Sequence, residues 1–532
     1  MAGPLPLTQR GGSFMWTTRA ETAPAGSYHY ALNMVPLEPQ RPDSLLVQRP
    51  SMAPIGSNTL SGTLVATGQM SKADGTVVNW LLTTNGLWAI AAGAYTNVVT
   101  SSNLSTASVT VPSGTHYWCV FNNTVVFNPS DGTNKPWTWD GTSGAGGLTP
   151  LTNAPIAYGR PTVRSAKLFF IKYAERDTIA WSEEAAANTG YEAGGYSNVW
   201  KLGQSGTAPL YAIYGTNEGL YYFRLASIGV IRGEVNPDFV TSSTHDAVSR
   251  SVGTTSPAGV AAVDTDLWFV DQFGIPNVLP AGGSPVALLQ EIRSEPTAAE
   301  PFGFDDVGWT RNVAPGSANV EVLAVPPLGS MPYRSVWFHV SASQPTAARA
   351  MLVCHAESRR ALAWFVPYFG AACSPYAGLY YDSSAGKVYP YVLQASNAVA
   401  FRWTDGYSDG DLNSSSTAQS TRYRVIGAPL GGNDLAEYQF DRLDTVASAS
   451  GTTETMGVQL LTSRRDTSSS VSTALTPVVG TSGSLDRISV GFNQAGRWVR
   501  PIYTVTSSTL GKWNLASWTV WAFPKHSGGK AP

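Results

Sequence analysis

Residues 265–283 read TDLWFVDQFGIPNVLPAGG, two short apolar bursts on either side of a polar break that ends in Gly274. Runs of this length, separated by a turn with Gly at its end, read as a β-hairpin. A lone hairpin cannot bury its apolar face, so its meaning depends on whether the chain repeats it.

The chain does repeat it. TVVNWLLTTNGLWAIAAG (76–93) turns at Asn85-Gly86, and NTVVFNPSDGTNKPWTWDG (123–141) turns at Asp131-Gly132. KLFFIKYAERDTIAWSEE (167–184), LYAIYGTNEGLYYFRLAS (210–227), a longer run over 335–366 and GLYYDSSAGKVYPYVLQ (378–394) follow the same scheme. The starts lie near 76, 123, 167, 210, 265, 335 and 378. A period of roughly 40–50 residues with three or four strands per repeat is that of β-propeller blades. The sequence therefore predicts an all-β protein, a propeller of six or seven blades over 61–405, with an insertion or an ill-marked blade near 285–330. Helix is expected to be scarce, at most single turns within 182–195 and 285–296.

Two segments fall outside the repeat. Residues 1–60 carry too many prolines for a central strand and read as an extended N-terminal arm. After a polar linker (406–420), residues 421–532 contain evenly spaced strands with Ser, Thr and Gly connectors, the pattern of a β-sandwich-like sheet.

Composition narrows the function. The 532-residue chain has 34 Lys+Arg against 36 Asp+Glu, and charged residues make up only 13%. Soluble domains average about 25%. No basic field is available to hold nucleic acid through its phosphates. Cys119, Cys354 and Cys373 cannot all pair and show no metal-ligand spacing, so buried thiols in a reducing compartment are expected. The opening MAGPLPLTQRGGSFMW lacks the apolar core of a secretory signal. No stretch reaches the ~18 uninterrupted apolar residues of a membrane helix, so a soluble chain without a membrane segment is expected.

Residues capable of chemistry are scattered. His29, His116, His245, His339, His355 and His526 show no ligand spacing. Cys354 and His355 are neighbours on a strand, which points their side chains to opposite faces. The Gly-rich GTSGAGG (141–147) leads into no helix and reads as a turn. Glu183-Glu184, Asp305-Asp306, Asp264 and Asp266 could serve a propeller glycosidase only by converging at a channel mouth, and solvated turns are the simpler reading. Asp409, Asp411 and Asn413 alternate like the start of a calcium loop but lack its Gly and closing Glu. The 17 Trp and 23 Tyr suit packing between blades or stacking on sugars. No catalytic residue, cofactor or metal site is expected, and the chain reads as non-enzymatic.

Taken in order, these segments resemble the tail nozzle, tail stabilisation or tail hub propeller proteins of short-tailed bacteriophages. The resemblance rests on YALNMVPLEPQ…VQRPSMAPIG, with Asn33, Arg49 and Pro50 in place and Ser51 where the family usually has Gly. It rests also on LYYFRLASIGVIRG…SVGTTSPAGVAAVDTDLWFVDQFGIPNVLPAGG, and on a tail with Ser463, Asp466, Gly496 and Arg497. It implies a structural virion protein assembled in the host cytoplasm. Such a protein forms a homohexameric ring beneath the portal-adaptor (head-tail connector) and meets tail fibre, spike or plug proteins. Viral DNA crosses the ring's lumen during ejection without sequence-specific binding. The rival reading is a carbohydrate-binding propeller for host recognition, and a hydrolase is third.

Overall fold

The computed structural model describes residues 5–10, 28–32, 34–41, 44–55, 60–91, 94–194, 196–203, 208–235, 239–288, 320–340, 351–365, 373–394, 400–404, 421–427, 430–431, 437–449, 456–464, 467–475, 485–496, 498–507 and 513–525. The opening stretch forms the hairpin its sequence predicts. Strand Asp266–Val270 pairs with Pro276–Leu279. The turn is held by Asp271, whose Oδ1 accepts from the backbone N–H of Phe273 and of Ile275, both at 2.8 Å. Gly274 takes φ +80°, which a β-branched residue would resist.

That hairpin is the middle of a four-stranded antiparallel unit, one of seven hairpin units among the described residues: five are separate four-stranded sheets, the unit at 157–201 has a fifth strand, and the four strands at 320–365 belong to a ten-stranded sheet. They occupy 64–100, 117–150, 157–201, 210–249, 260–287, 320–365 and 373–404, the last completed by 51–54. The architecture is a β-propeller. Apolar cores lie between successive units, as the paired faces of twisted sheets require. Val65, Trp80 and Leu87 of the first unit share a core with Val125, Phe127 and Trp137 of the second. Trp80 meets Phe127 edge-on at 4.9 Å, and Phe127 stacks on Trp137 at 4.3 Å. Separate cores join the second unit to the third, the third to the fourth and the fourth to the fifth.

The repeat is legible, but its phase drifts. In the first, second, third and fifth units the sequence hairpin is the second and third strands; in the fourth and seventh it is the first and second. The expected insertion falls where residues 289–319 lie outside the described residues, between the fifth and sixth units. Helix is confined, among the described residues, to Ser101–Thr106, Phe239–Ser242 and a 3-10 turn at Ala145–Gly147. The single turns expected in 182–195 are instead strand: Ala186–Gly190 pairs with Thr178–Glu183, Ser182 opposite Gly190. Ala-rich composition favours helix, and a free sheet edge overrides it. Within 285–296, Val286–Ala287 is also strand and residues 289–296 lie outside the described residues.

The described strands of the first sixty residues are paired into the chain's own sheets. Ser51–Pro54 pairs with Ala400–Thr404 and is the outer strand of the seventh unit, so the two ends of the propeller sequence close the ring together. Asn79 of the first unit meets Tyr381 of the seventh reciprocally, Nδ2 donating to its carbonyl and Oδ1 accepting from its N–H, both at 2.8 Å. Tyr28–Leu32 lies between Arg360–Phe365 of the sixth unit and Thr421–Gly427, an interior sheet position. The prolines explain how: none lies in Tyr28–Leu32, while Pro36 and Pro54 end their strands, where a missing N–H costs little.

Beyond 421 the strands form two packed sheets. One orders 34–36, 46–48, 513–525, 437–449 and 486–496; the other orders 421–427, 498–507, 456–464 and 467–475, and continues through Tyr28–Leu32 into the sixth unit. Tyr503 bridges them, 3.0 Å from the Thr445 hydroxyl and 5.4 Å from the Trp518 ring. One core runs from Trp268 and Trp337 through Trp403 to Phe440 and Trp518, so sandwich and propeller are continuous. Arg49 is buried at this seam, its guanidinium 4.8 Å from the Trp403 ring centre and its Nη1 donating to the Pro50 carbonyl at 2.8 Å.

Candidate functional site

The propeller axis holds a cavity of about 420 Å³ lined by the first strand of every unit: Gln69, Cys119, Arg160, Tyr214, Ala262, Glu321 and Leu379 each come from a different one. Two of these strands line it with consecutive residues, 160–163 and 321–324. Half-buried Arg160 of Ala157–Arg164 and Glu321 of Val320–Val325 both lie on that lining.

Arg160 is aimed by a bulge. Pairing between Ala157–Arg164 and Lys167–Lys172 shifts register between Tyr158 and Thr162, where the sequence reads Gly-Arg-Pro. Gly159 takes φ +69° and is braced by the second unit: its N–H donates to Ser130 Oγ at 2.9 Å, and its carbonyl accepts from Asn128 Nδ2 at 2.7 Å. Two extra residues in one strand turn a side chain out of the ladder. Arg160 Nη2 thereby reaches Glu321 Oε1 at 3.3 Å, joining units three places apart round the ring. The side chains are 20% and 16% exposed, so the pair lies in a shielded setting.

The wall beside the pair is largely apolar. A Cβ on Gly68 would lie 2.3 Å from the Trp118 ring, so glycine lets that ring settle over the first strand. Trp118 meets Trp80 edge-on at 5.0 Å. The Tyr214 hydroxyl accepts from the Ala262 N–H at 3.2 Å and ties the fourth unit to the fifth. Burial pushes the Cys119 thiol up to about 12, against the pull of Arg160, which leaves it protonated and a poor nucleophile. Two polar atoms here have no hydrogen-bond partner among the described residues, Gln69 Oε1 and Arg160 Nε.

The cavity does not assemble a pair of carboxylates, since Glu321 alone among its lining residues is acidic. The acidic residues singled out in the sequence lie elsewhere. Asp264 pairs with Arg334 at 2.6 Å, and Asp266 receives Arg359 at 2.7 and 3.1 Å. Glu183 accepts from Asn198 Nδ2 at 2.7 Å, and Glu184 is exposed. Asp305, Asp306, Asp409, Asp411, Asn413, Asn33, Asp466, Arg497 and His526 lie outside the described residues.

Three histidines are held singly. His116 is buried, Nδ1 donating to the Gly114 carbonyl at 3.1 Å; burial pushes its pKa down to about 4. His245 meets the Tyr222 hydroxyl, and His355 Nδ1 meets Ser358 Oγ at 2.8 Å. Cys354 is a buried thiol whose pKa is driven up by burial. No group of three potential metal ligands occurs among the described residues. Eight tryptophans, from Trp80 to Trp518, are buried, and Trp88, Trp118, Trp200 and Trp521 are half-buried. No described helix is long and apolar enough to cross a membrane.

Sequence reading missed Arg160 and Glu321. The available signal was YGRP within an apolar run, where Gly followed by Pro marks a bulge rather than a continuous strand.

No family model and no curated protein matches the chain. Among solved structures, the extracellular domain of a hybrid two component system from B. thetaiotaomicron overlays with TM-score 0.39 at 8% identity, covering 90% of this chain. The chain spans 63% of that structure's length. An exo-beta-1,3-galactanase from Phanerochaete chrysosporium, solved with galactose, overlays with TM-score 0.26 at 10% identity, covering 89% of this chain and 100% of the other. Overlays this loose do not bear on function.

Proposed function

We propose that the chain is a non-enzymatic structural subunit of a bacteriophage tail, a member of a nozzle or hub ring beneath the portal-adaptor. The observation that carries the reading is the single core through which the N-terminal strands weld propeller to sandwich. That order of arm, propeller and sheet is the one in which the sequence resembles the nozzle proteins, and a continuous core suits a part that must transmit force without deforming. In this reading DNA crosses the lumen of the ring. It does not follow the propeller axis, which the Arg160–Glu321 pair crosses. The weak net charge of −2 suits a wall along which a polyanion slides. Since the described arm strands are spent within the chain, contacts between copies fall to other edges and turns.

The test is cryo-electron microscopy of the particle that contains this chain. Six copies around an open axis next to the connector are expected. A chain that is monomeric in its native setting and absent from any particle would overturn the proposal.

A further inference from the structure

We infer that strand Leu5–Arg10 is a cap that keeps a second copy of this chain from adding, edge to edge, to strand Trp513–Lys525. Leu5–Arg10 pairs antiparallel along one side of Trp513–Lys525, Leu5 opposite Ala522 and Arg10 opposite Ser517. Glu437–Ala449 takes the other side. The cap pairs with no other strand among the described residues, so it ends that sheet.

The strand it covers is the one least suited to lie bare. Residues 515–523 read LASWTVWAF, with no charge, proline or glycine. Trp518, Val520 and Ala522 are fully buried, which fixes the register. An uncharged β-forming run with open N–H and C=O groups is a template for another chain. An antiparallel edge can also pair with its own copy about a two-fold axis. The other sandwich edges carry protection of their own. Asp486–Gly496 opens with Asp486-Arg487, Thr467–Leu475 is mostly Ser and Thr, and Met34–Pro36 is three residues long and ends in proline.

Proline shows how the cap stops growth. Pro6 has no N–H, and proline holds a strand position where that N–H would face away from the partner. Alternation then turns the N–H groups of Leu5, Leu7 and Gln9 toward Trp513–Lys525 and leaves Pro6, Thr8 and Arg10 on the outer side. The sequence places a second proline, Pro4, two residues before Pro6, which is the same side in an extended chain. The cap pairs inward and withholds donors from a strand that would follow. It stands apart from the ring assembly proposed above, whose contacts use other edges and turns.

The experiment compares full-length variants with the wild type by sedimentation over a range of concentrations. The wild-type mass, whether of one copy or six, is the reference, so the ring reading is judged separately. Leu7→Pro removes an inward N–H and should release the cap. Its mass should then rise roughly twofold or more with concentration, and a peptide of residues 1–12 should reverse the rise. Pro4→Val/Pro6→Val keeps the inward donors and adds outward ones. It should also gain copies, while the amides of Trp518, Val520 and Ala522 stay protected from hydrogen exchange. If Leu7→Pro does not fold, this second variant decides. Folded variants that keep the wild-type mass at every concentration, or association that the peptide leaves unchanged, overturn the proposal.

Discussion

The first five propeller units and the last two solve the same problem by different means. Each of the first five is one unbroken stretch of chain with its hairpins closed by local turns, and the second to fourth share cores only with their neighbours. The sixth and seventh import strands from more than 300 residues away and share one core with the sandwich. Local closure needs little loop entropy, whereas closing a ring against the far end of the chain requires the whole propeller to be in place. The difference divides the molecule into a part assembled from neighbours and a part that holds only when everything is present.

Removing residues 1–54 should break that comparison most completely. Hydrogen exchange is the measurement: the sandwich and the sixth and seventh units should lose protection, while the second to fourth keep theirs. Uniform loss over all seven units would mean that ring closure stabilises every unit equally.

Next in size, Trp403→Ala and Trp181→Ala each empty a fully packed aromatic site and should each cost about 3–5 kcal/mol in denaturant unfolding. They should differ in reach. Trp403 also supports Arg49 and Trp337, so its loss should disturb the sandwich, whereas Trp181 packs against Phe239 within its own region. Equal effects on sandwich protection would erase the distinction.

A smaller effect follows from pH. His116 is kept neutral by burial, with its pKa lowered from 6.5 to about 4. Between those values the unfolded chain binds the proton and the folded chain does not, so stability is full above pH 6.5 and falls as pH drops toward 4. His116→Gln should flatten that slope in thermal melts between pH 7 and pH 4, and an unaltered slope would assign the acid loss to other groups. Smallest of all, Phe273→Ser changes a residue 52% exposed on a local turn and should shift stability by no more than about 0.5 kcal/mol. A loss well above that would show that the Phe273 ring is held by contacts beyond its own turn.

The same division governs what could be read from residues. Hairpins such as 76–93 and 265–283 announce themselves because Asn85-Gly86 and Gly274 supply the turn and the apolar alternation supplies the faces. The proline content of residues 1–60 pointed to an extended arm with no central strand. The structure puts Tyr28–Leu32 inside a sheet, because proline excludes only the positions it occupies. Arg49 was visible as part of a resemblance; its burial against Trp403 was not, since the ring lies 354 positions further along the chain (403 − 49).

By itself the sequence determined an all-β chain of repeated hairpins, with turns placed by Gly, Asn and Asp and with aromatics in number enough to fill the spaces between sheets. The tertiary structure alone decided which distant strands close the ring, how the sandwich joins it, and that Arg160 meets Glu321 on the axis. Turn geometry and strand alternation act over a few residues and are written in local order. Ring closure and the axial pair depend on where seven separate strands converge, and no local spacing encodes that distance.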